Sequence, residues 1–257
     1  LIPEECKDKA STLVVYTPAV PQGHAELTYF RENGFNIHKR SQVLGIITRS
    51  SKGLCVAGTH GKTTTSTMAA HLLHQSHVGC TAFLGGISRN YGSNLLLSDS
   101  GLMVAEADEF DRSFLRLHPE GAVVTAMDAD HMDIYRDIDD LRGAFVQFGR
   151  QCSDILVVKK GLEEYFRNGD LRARIWTYGE GGDFSASDIV SDGQGTMHFT
   201  LNTPDGKIER CRAGVPGKVY IENATAAAAL ALLHGTSAES VREGIASFRG
   251  GARRFDI

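Results

Sequence analysis

The stretch Gly53-Leu54-Cys55-Val56-Ala57-Gly58-Thr59-His60-Gly61-Lys62-Thr63-Thr64-Thr65 decides the fold. Its first five residues are an apolar run of strand type. A glycine-rich turn follows, and then Lys and a row of hydroxyls. A buried strand ending in such a turn is the layout of a nucleotide phosphate site. Gly58 and Gly61 let the backbone turn tightly and bring its N–H groups to phosphate oxygens. Lys62 reaches the outer phosphates, and the Thr63 hydroxyl is suited to Mg²⁺. The residues from Lys62 to Gln75 are expected to form a helix whose positive end faces the same anion. The long P-loop form would need glycine at position 56, where Val56 stands, so the match is to the shorter G-T-x-G-K-T-T form. An ordinary strand-to-helix turn explains neither the Lys nor the run of Thr.

Outward from this motif the chain alternates strand and helix. Strands are expected at 53–57, 80–84, 102–106, 121–126, 155–159 and 174–178, and helices at 62–75, 138–151, 161–168, 223–234 and 238–248. Strands such as Gly121-Ala122-Val123-Val124-Thr125 are apolar throughout, which predicts a mostly parallel sheet with helices on both faces. Residues 183–213 alternate and contain the turn Thr203-Pro204-Asp205-Gly206, predicting a small antiparallel extension. Ahead of the motif, strands at 12–16 and 35–38 and helices at 24–33 and 41–49 make one and a half βα units. They are too few to close a sheet and read as the tail of a Rossmann-like domain.

Composition narrows the function classes. The chain has 257 residues, is 42 % hydrophobic and carries a net charge of −4, without a basic block that would favour nucleic acid. No apolar stretch reaches the ~18–20 residues of a membrane span. Five scattered cysteines without metal spacing predict reduced, mostly buried thiols and a cytoplasmic setting.

Further chemistry is expected at the carboxyl ends of later strands, where open α/β sheets collect their ligands. Val104-Ala105-Glu106-Ala107-Asp108-Glu109-Phe110-Asp111 ends a strand in four carboxylates, and Glu106 should lie nearest the glycine turn as a metal ligand. Asp128-Ala129-Asp130-His131-Met132-Asp133 follows the next strand, and a His among acids suits metal ligation. Asn223, at the expected start of an Ala-rich helix, reads equally as a helix cap or as an amide for adenine. The closing Gly250-Gly251-Ala252-Arg253-Arg254-Phe255 is an exposed linker or a phosphoryl contact through Arg.

Together these segments resemble the ATP-dependent Mur ligases of peptidoglycan synthesis. The carriers are Gly58–Thr65, Glu106-Ala107-Asp108-Glu109, Asp130-His131-Met132-Asp133, Asn223-Ala224-Thr225-Ala226 and Arg253-Arg254-Phe255, in order over nearly the whole chain. The resemblance implies three domains: a UDP-binding domain whose tail is residues 1–49, a central ATP-binding domain at 50–257, and an amino-acid-binding domain beyond Ile257. It implies ATP and Mg²⁺ as cofactors. Gly58, Thr59, His60, Gly61, Lys62, Thr63 and Thr64 would cradle the phosphates, Asn223 would meet adenine, and Arg254 the γ-phosphate region. Thr63, Glu106 and His131 would hold metal, and Lys62, Glu106, His131 and Arg254 would be catalytic. The likeness runs particularly to members that join L-alanine to the lactoyl carboxylate of UDP-N-acetylmuramate. A recycling ligase that adds a tripeptide, or a nucleotide-binding regulatory module, are the competing readings. Four positions, in three segments, depart from the family pattern: Ala126 replaces Asn, Val219–Tyr220 replace His-Asn, and Arg136 replaces Gly.

Overall fold

The interior positions of the central strands are apolar because both faces of the sheet are covered. In the computed structural model, which describes residues 2–17, 19–193 and 195–252, the chain begins with a short 3₁₀ turn and four elements. These are β1 (Leu13–Tyr16), α1 (Ala25–Glu32), β2 (Asn36–Lys39) and α2 (Arg40–Ser50). The strands β1 and β2 pair in parallel as a separate two-stranded sheet. The remainder runs β3 (Lys52–Ala57), α3 (Lys62–His74), β4 (Thr81–Ser88), β5 (Ser93–Leu96), β6 (Leu102–Glu106), β7 (Gly121–Val124), α4 (Ile138–Gln151), β8 (Ile155–Lys159), α5 (Glu163–Arg167) and β9 (Arg174–Tyr178). It closes with β10 (Ser185–Ser191), β11 (Met197–Thr203), β12 (Gly206–Arg212), α6 (Lys218–Leu233) and α7 (Ala238–Ser247).

Seven strands form the main sheet in the order β5-β4-β6-β3-β7-β8-β9. All its pairings are parallel except β4 with β5. The glycine turn therefore leaves β3 at the centre of the sheet, flanked by β6 and β7. Strand order changes direction there, which is where such sheets open a crevice for ligands. Side chains alternate between two cores. Leu54, Val56, Val104, Val123 and Val157 face α3 and α6. Cys55, Ala57, Ala105, Val124 and Val158 face α4, with Phe145, Phe148 and Phe114. β10, β11 and β12 make the antiparallel extension and pack onto the α3–α6 side through Phe199, Leu201 and Ile208.

The fold class is as expected, and the differences are local. β5 had no strand signal, because Ser93-Asn94-Leu95-Leu96 is short and sits at the sheet edge beside a turn. The expected helix at 223–234 begins earlier, at Lys218, because Gly217 at φ 109° turns the chain into it. Asn223 consequently sits in the second turn and does not cap the helix. The run Ala226–Ala231 is wholly buried, and its mostly small side chains let α6 pack closely beside α3 and onto β7 and β8.

Candidate functional site

The glycine turn is locked to the neighbouring strand before any ligand arrives. Gly58 has φ 138°, and a Cβ there would lie 2.0 Å from Thr125 Oγ1 and 2.8 Å from the Ala126 nitrogen. Only glycine allows that approach. The Thr125 hydroxyl donates to the Ala57 carbonyl at 3.2 Å and also to the His60 carbonyl. The Thr59 amide donates to the Ala126 carbonyl at 3.1 Å, and the Asp128 amide donates to Thr59 Oγ1 at 3.1 Å. Ala126 holds the turn entirely through its backbone, so the departure from the family's Asn leaves this fastening intact.

Gly61, at φ 81°, is the N-cap of α3. The first-turn amides of a helix have no intrahelical acceptor, and they lie at the positive end of its dipole. Lys62 to Thr64 supply these amides beside a tight glycine turn, an anion seat that asks for no side-chain movement. Thr63 is buried against Gly86, whose added Cβ would meet its methyl at 3.4 Å. His60 is exposed, with Nε2 3.9 Å from Asp128.

Lys62 is held by three acceptors. Its Nζ donates to the Gly58 carbonyl at 2.8 Å and to both carboxylate oxygens of Glu109 at 2.7 Å. Glu109 is fully buried, so this pair is desolvated and strongly coupled. In the sequence Glu109 is one of four acids at a strand end, with nothing to single it out. Three residues past the strand end, a 3₁₀ turn swings Glu109 back over the glycine turn.

That turn is itself braced. Asp111 and Arg112 adopt left-handed φ of 54° and 52° within the segment Phe110–Arg116. Arg112 pairs with Asp140 at 2.5 Å and lies over the Tyr135 ring, 4.7 Å from its centroid. The guanidinium holds the Asp140 carboxyl down at about 2. Tyr135 is buried, which pushes its hydroxyl up to about 12, and it donates to the Glu109 carbonyl at 2.7 Å. From the first unit, Lys39 reaches Asp111 at 2.8 Å.

His131 adopts φ 52°, packs edge-on against Phe110, and places Nε2 3.6 Å from Glu109 and 3.8 Å from Asp130. Glu109, Asp130 and His131 put three potential ligand atoms within 4.8 Å of one another. Among the described residues this is the one such group. Glu106 stands at the end of β6 in register with Val56, and a Cβ on Gly85 would fall 2.1 Å from its Oε2. The structure thus brings Lys62, Glu109 and His131 together, with Thr63 on the helix turn beside them and Glu106 against β4. Oxygen-rich carboxylates suit a hard divalent cation, and the His nitrogen adds a softer donor.

Asn223 lies beneath the turn. Its Oδ1 accepts from Thr65 Oγ1 at 3.3 Å and would touch a Cβ on Gly61 at 3.0 Å. Next to it, a cavity of about 630 Å³ opens between Lys159, Lys160, Tyr178, Lys218 and Glu222. Arg253 and Arg254 lie outside the described residues. The residues leading to them hydrogen-bond to the end of β4, Ala252 to Ile87 at 2.8 Å and Arg89 to Gly250 at 3.0 Å.

Comparison with known proteins places the chain among relatives of one family. The Mur ligase middle domain matches residues 56–231. The UDP-N-acetylmuramate–L-alanine ligase of Phocaeicola vulgatus is 56 % identical over the whole chain, which spans 57 % of that protein. The crystal structure of UDP-N-acetylmuramate–alanine ligase from Thermotoga maritima superposes with a TM-score of 0.81 at 27 % identity, over 95 % of this chain and 56 % of that one. The ligase from Neisseria meningitides that takes a tripeptide superposes at 0.79 and 25 % identity, over 93 % of this chain and 80 % of that one. No described helix is long and apolar enough to cross a membrane.

Proposed function

The chain belongs to the Mur ligase family, and from that premise we propose that the protein to which it contributes joins L-alanine to the lactoyl carboxylate of UDP-N-acetylmuramate with ATP, in the cytoplasm. Residues 1–49 are read as the tail of the UDP-binding domain and 50–257 as the ATP-binding domain. The observation that carries this is the meeting of Lys62, the α3 first-turn amides and the Glu109–Asp130–His131 group at the switch point of the sheet.

The chemical need is plain. A carboxylate is a poor electrophile until one of its oxygens becomes a good leaving group. Attack on the γ-phosphate of ATP makes an acyl phosphate and releases ADP. The alanine amine then attacks the acyl carbon, and phosphate leaves. The first step brings two anions together, so their repulsion must be offset by positive charge fixed in advance. The amides of Gly61 to Thr64 and the Lys62 ammonium supply that charge without reorganisation. Bound Mg²⁺ would screen the phosphate oxygens. Thr63 and Glu106 would hold one ion, and His131, with Glu109 and Asp130, a second. Glu109 keeps Lys62 extended across the turn until phosphate oxygens share it. Asn223 would contact adenine, with the base and ribose directed to the cavity beside Glu222. Arg254 is assigned to the γ-phosphate region.

Full-length protein tests the reading. ADP release should require both UDP-N-acetylmuramate and L-alanine, and the tripeptide L-Ala-γ-D-Glu-meso-diaminopimelate should not replace L-alanine. Turnover with ATP alone would favour a regulatory module, and preference for the tripeptide would favour the recycling activity. The 56 % identity over the whole chain to an L-alanine-adding enzyme supports the first outcome.

A further inference from the structure

The helix α7 ends at Ser247, and the last carbonyls of a helix have no intrahelical partner. Asn90, half-buried in the turn between β4 and β5, takes up this end with both halves of its amide. Its Nδ2 donates to the Ser247 carbonyl at 2.8 Å, and its Oδ1 accepts from the Arg249 amide at 2.8 Å. A side-chain amide offers the donor and acceptor of a peptide unit. Asn90 therefore acts as one more rung of a strand pairing, between segments 157 and 159 residues apart.

The pairing continues along the backbone. The Arg89 amide donates to the Gly250 carbonyl at 3.0 Å, Ser88 and Gly251 form an antiparallel bridge, and the Ala252 amide donates to the Ile87 carbonyl at 2.8 Å. Gly250 takes φ 81°, so the chain enters this bridge through a left-handed turn. Between the two atoms that Asn90 holds, Phe248 is buried against α3, its ring centroid 5.8 Å from that of His71. A helix cap needs the Ser247 contact alone. The second bond, to Arg249, holds the chain beyond the helix.

This bridge lies beside the phosphate seat. Gly85 and Gly86 precede Ile87 in β4. A Cβ on Gly85 would fall on the Glu106 carboxylate, and one on Gly86 would meet the Thr63 methyl at 3.4 Å. Ala252 is thus docked one residue along β4 from the contact with Thr63. Arg253 and Arg254 follow it in sequence, outside the described residues. We propose that Asn90 is a positioning residue for phosphoryl transfer. It fixes the register in which the chain crosses the end of β4, and so acts through Arg254. The proposal rests on the assignment of Arg254 to the γ-phosphate region. Asn90 lies in none of the segments that carry the family likeness.

The test uses full-length protein with UDP-N-acetylmuramate, L-alanine and ATP. Asn90→Ala should lower kcat by about fivefold or more, while ADP, which lacks the γ-phosphate, keeps its affinity within about twofold. Asn90→Asp keeps the acceptor for Arg249 and loses the donor to Ser247, so its kcat should fall between the two. Arg254→Ala should also be slow, and adding Asn90→Ala to it should slow it no further. Amide exchange at Arg249 and Ala252 should rise about tenfold or more in Asn90→Ala, a readout that needs no ligation. Normal kcat in both Asn90 variants beside a slow Arg254→Ala would overturn the proposal and leave the ligase reading intact. So would unchanged exchange, losses that multiply in the double variant, or a fall in ADP affinity as large as the fall in kcat. Normal kcat in Arg254→Ala would instead strike the γ-phosphate assignment, and this route with it.

Discussion

The Lys62 ammonium sits 2.7 Å from each carboxylate oxygen of Glu109, a residue 47 positions away and wholly removed from solvent. The contact joins the helix after β3 to the turn after β6. It means the principal cation of the phosphate seat is held in place by a buried anion. Removing one member of a buried pair strands the other, at a cost of ~3–5 kcal/mol. Lys62→Met and Glu109→Gln should therefore each lower unfolding stability by roughly 3 kcal/mol, and the double variant should lose much less than their sum. Urea unfolding in a double-mutant cycle measures this. Additive losses would show that the two residues are not coupled. Lys62→Met should also abolish ligation, whatever its stability.

Gly85 has its own consequence. With an added Cβ 2.1 Å from Glu106 Oε2, Gly85→Ala must push that carboxylate aside. If Glu106 is a metal ligand, Gly85→Ala and Glu106→Ala should both raise the Mg²⁺ needed for half-maximal turnover, by about tenfold or more. A Mg²⁺ titration that matches the unaltered protein in both variants would remove Glu106 from the metal site.

Gly58→Ala tests the fastening of the turn. The left-handed φ and the approach to Thr125 and Ala126 both oppose a side chain there. The expected result is a loss of about 2 kcal/mol in stability and a fall of at least 30-fold in affinity for an ATP analogue, read by calorimetry. Near-normal affinity would mean that the turn geometry is not what binds phosphate.

Acid should weaken the fold through His71. This residue is buried between Tyr91, at 2.8 Å, and Ser247, at 3.0 Å, and burial lowers it from 6.5 to about 4. The unfolded chain takes up the proton below about 6.5, while the folded chain resists until about 4. The contribution is therefore complete above pH 6.5 and lost as pH falls from 6.5 to 4. His234 is lowered in the same sense, again by burial. Between pH 7 and 5, stability should fall by roughly 2 kcal/mol through His71 alone. His71→Gln should flatten that part of the profile. An unchanged slope in the variant would contradict the assignment.

Much of this was legible in the residues. The all-apolar strands announced a sheet covered on both faces, and Gly58, Gly61, Lys62 and Thr63 announced the phosphate seat. What was not legible depended on turns and edges. Glu109 is one of four acids in a short run, and only the left-handed backbone at Asp111 and Arg112 shows which one faces Lys62. Ser93–Leu96 joins the sheet because β4 offers an edge, not because its own pattern asks for a strand. Lys218–Glu222 becomes helix because Gly217 starts it early and α3 and the sheet bury its continuation.

The central claim is that the α3 first-turn amides, Lys62 and a divalent cation together seat a triphosphate. A crystal structure with AMPPCP and Mg²⁺ tests it most directly. The account predicts phosphate density across Gly58–Thr63, with Lys62 shared between Glu109 and the outer phosphates and metal against Thr63 and Glu106. Nucleotide bound elsewhere, with the glycine turn bare and Lys62 still closed on Glu109, would contradict it.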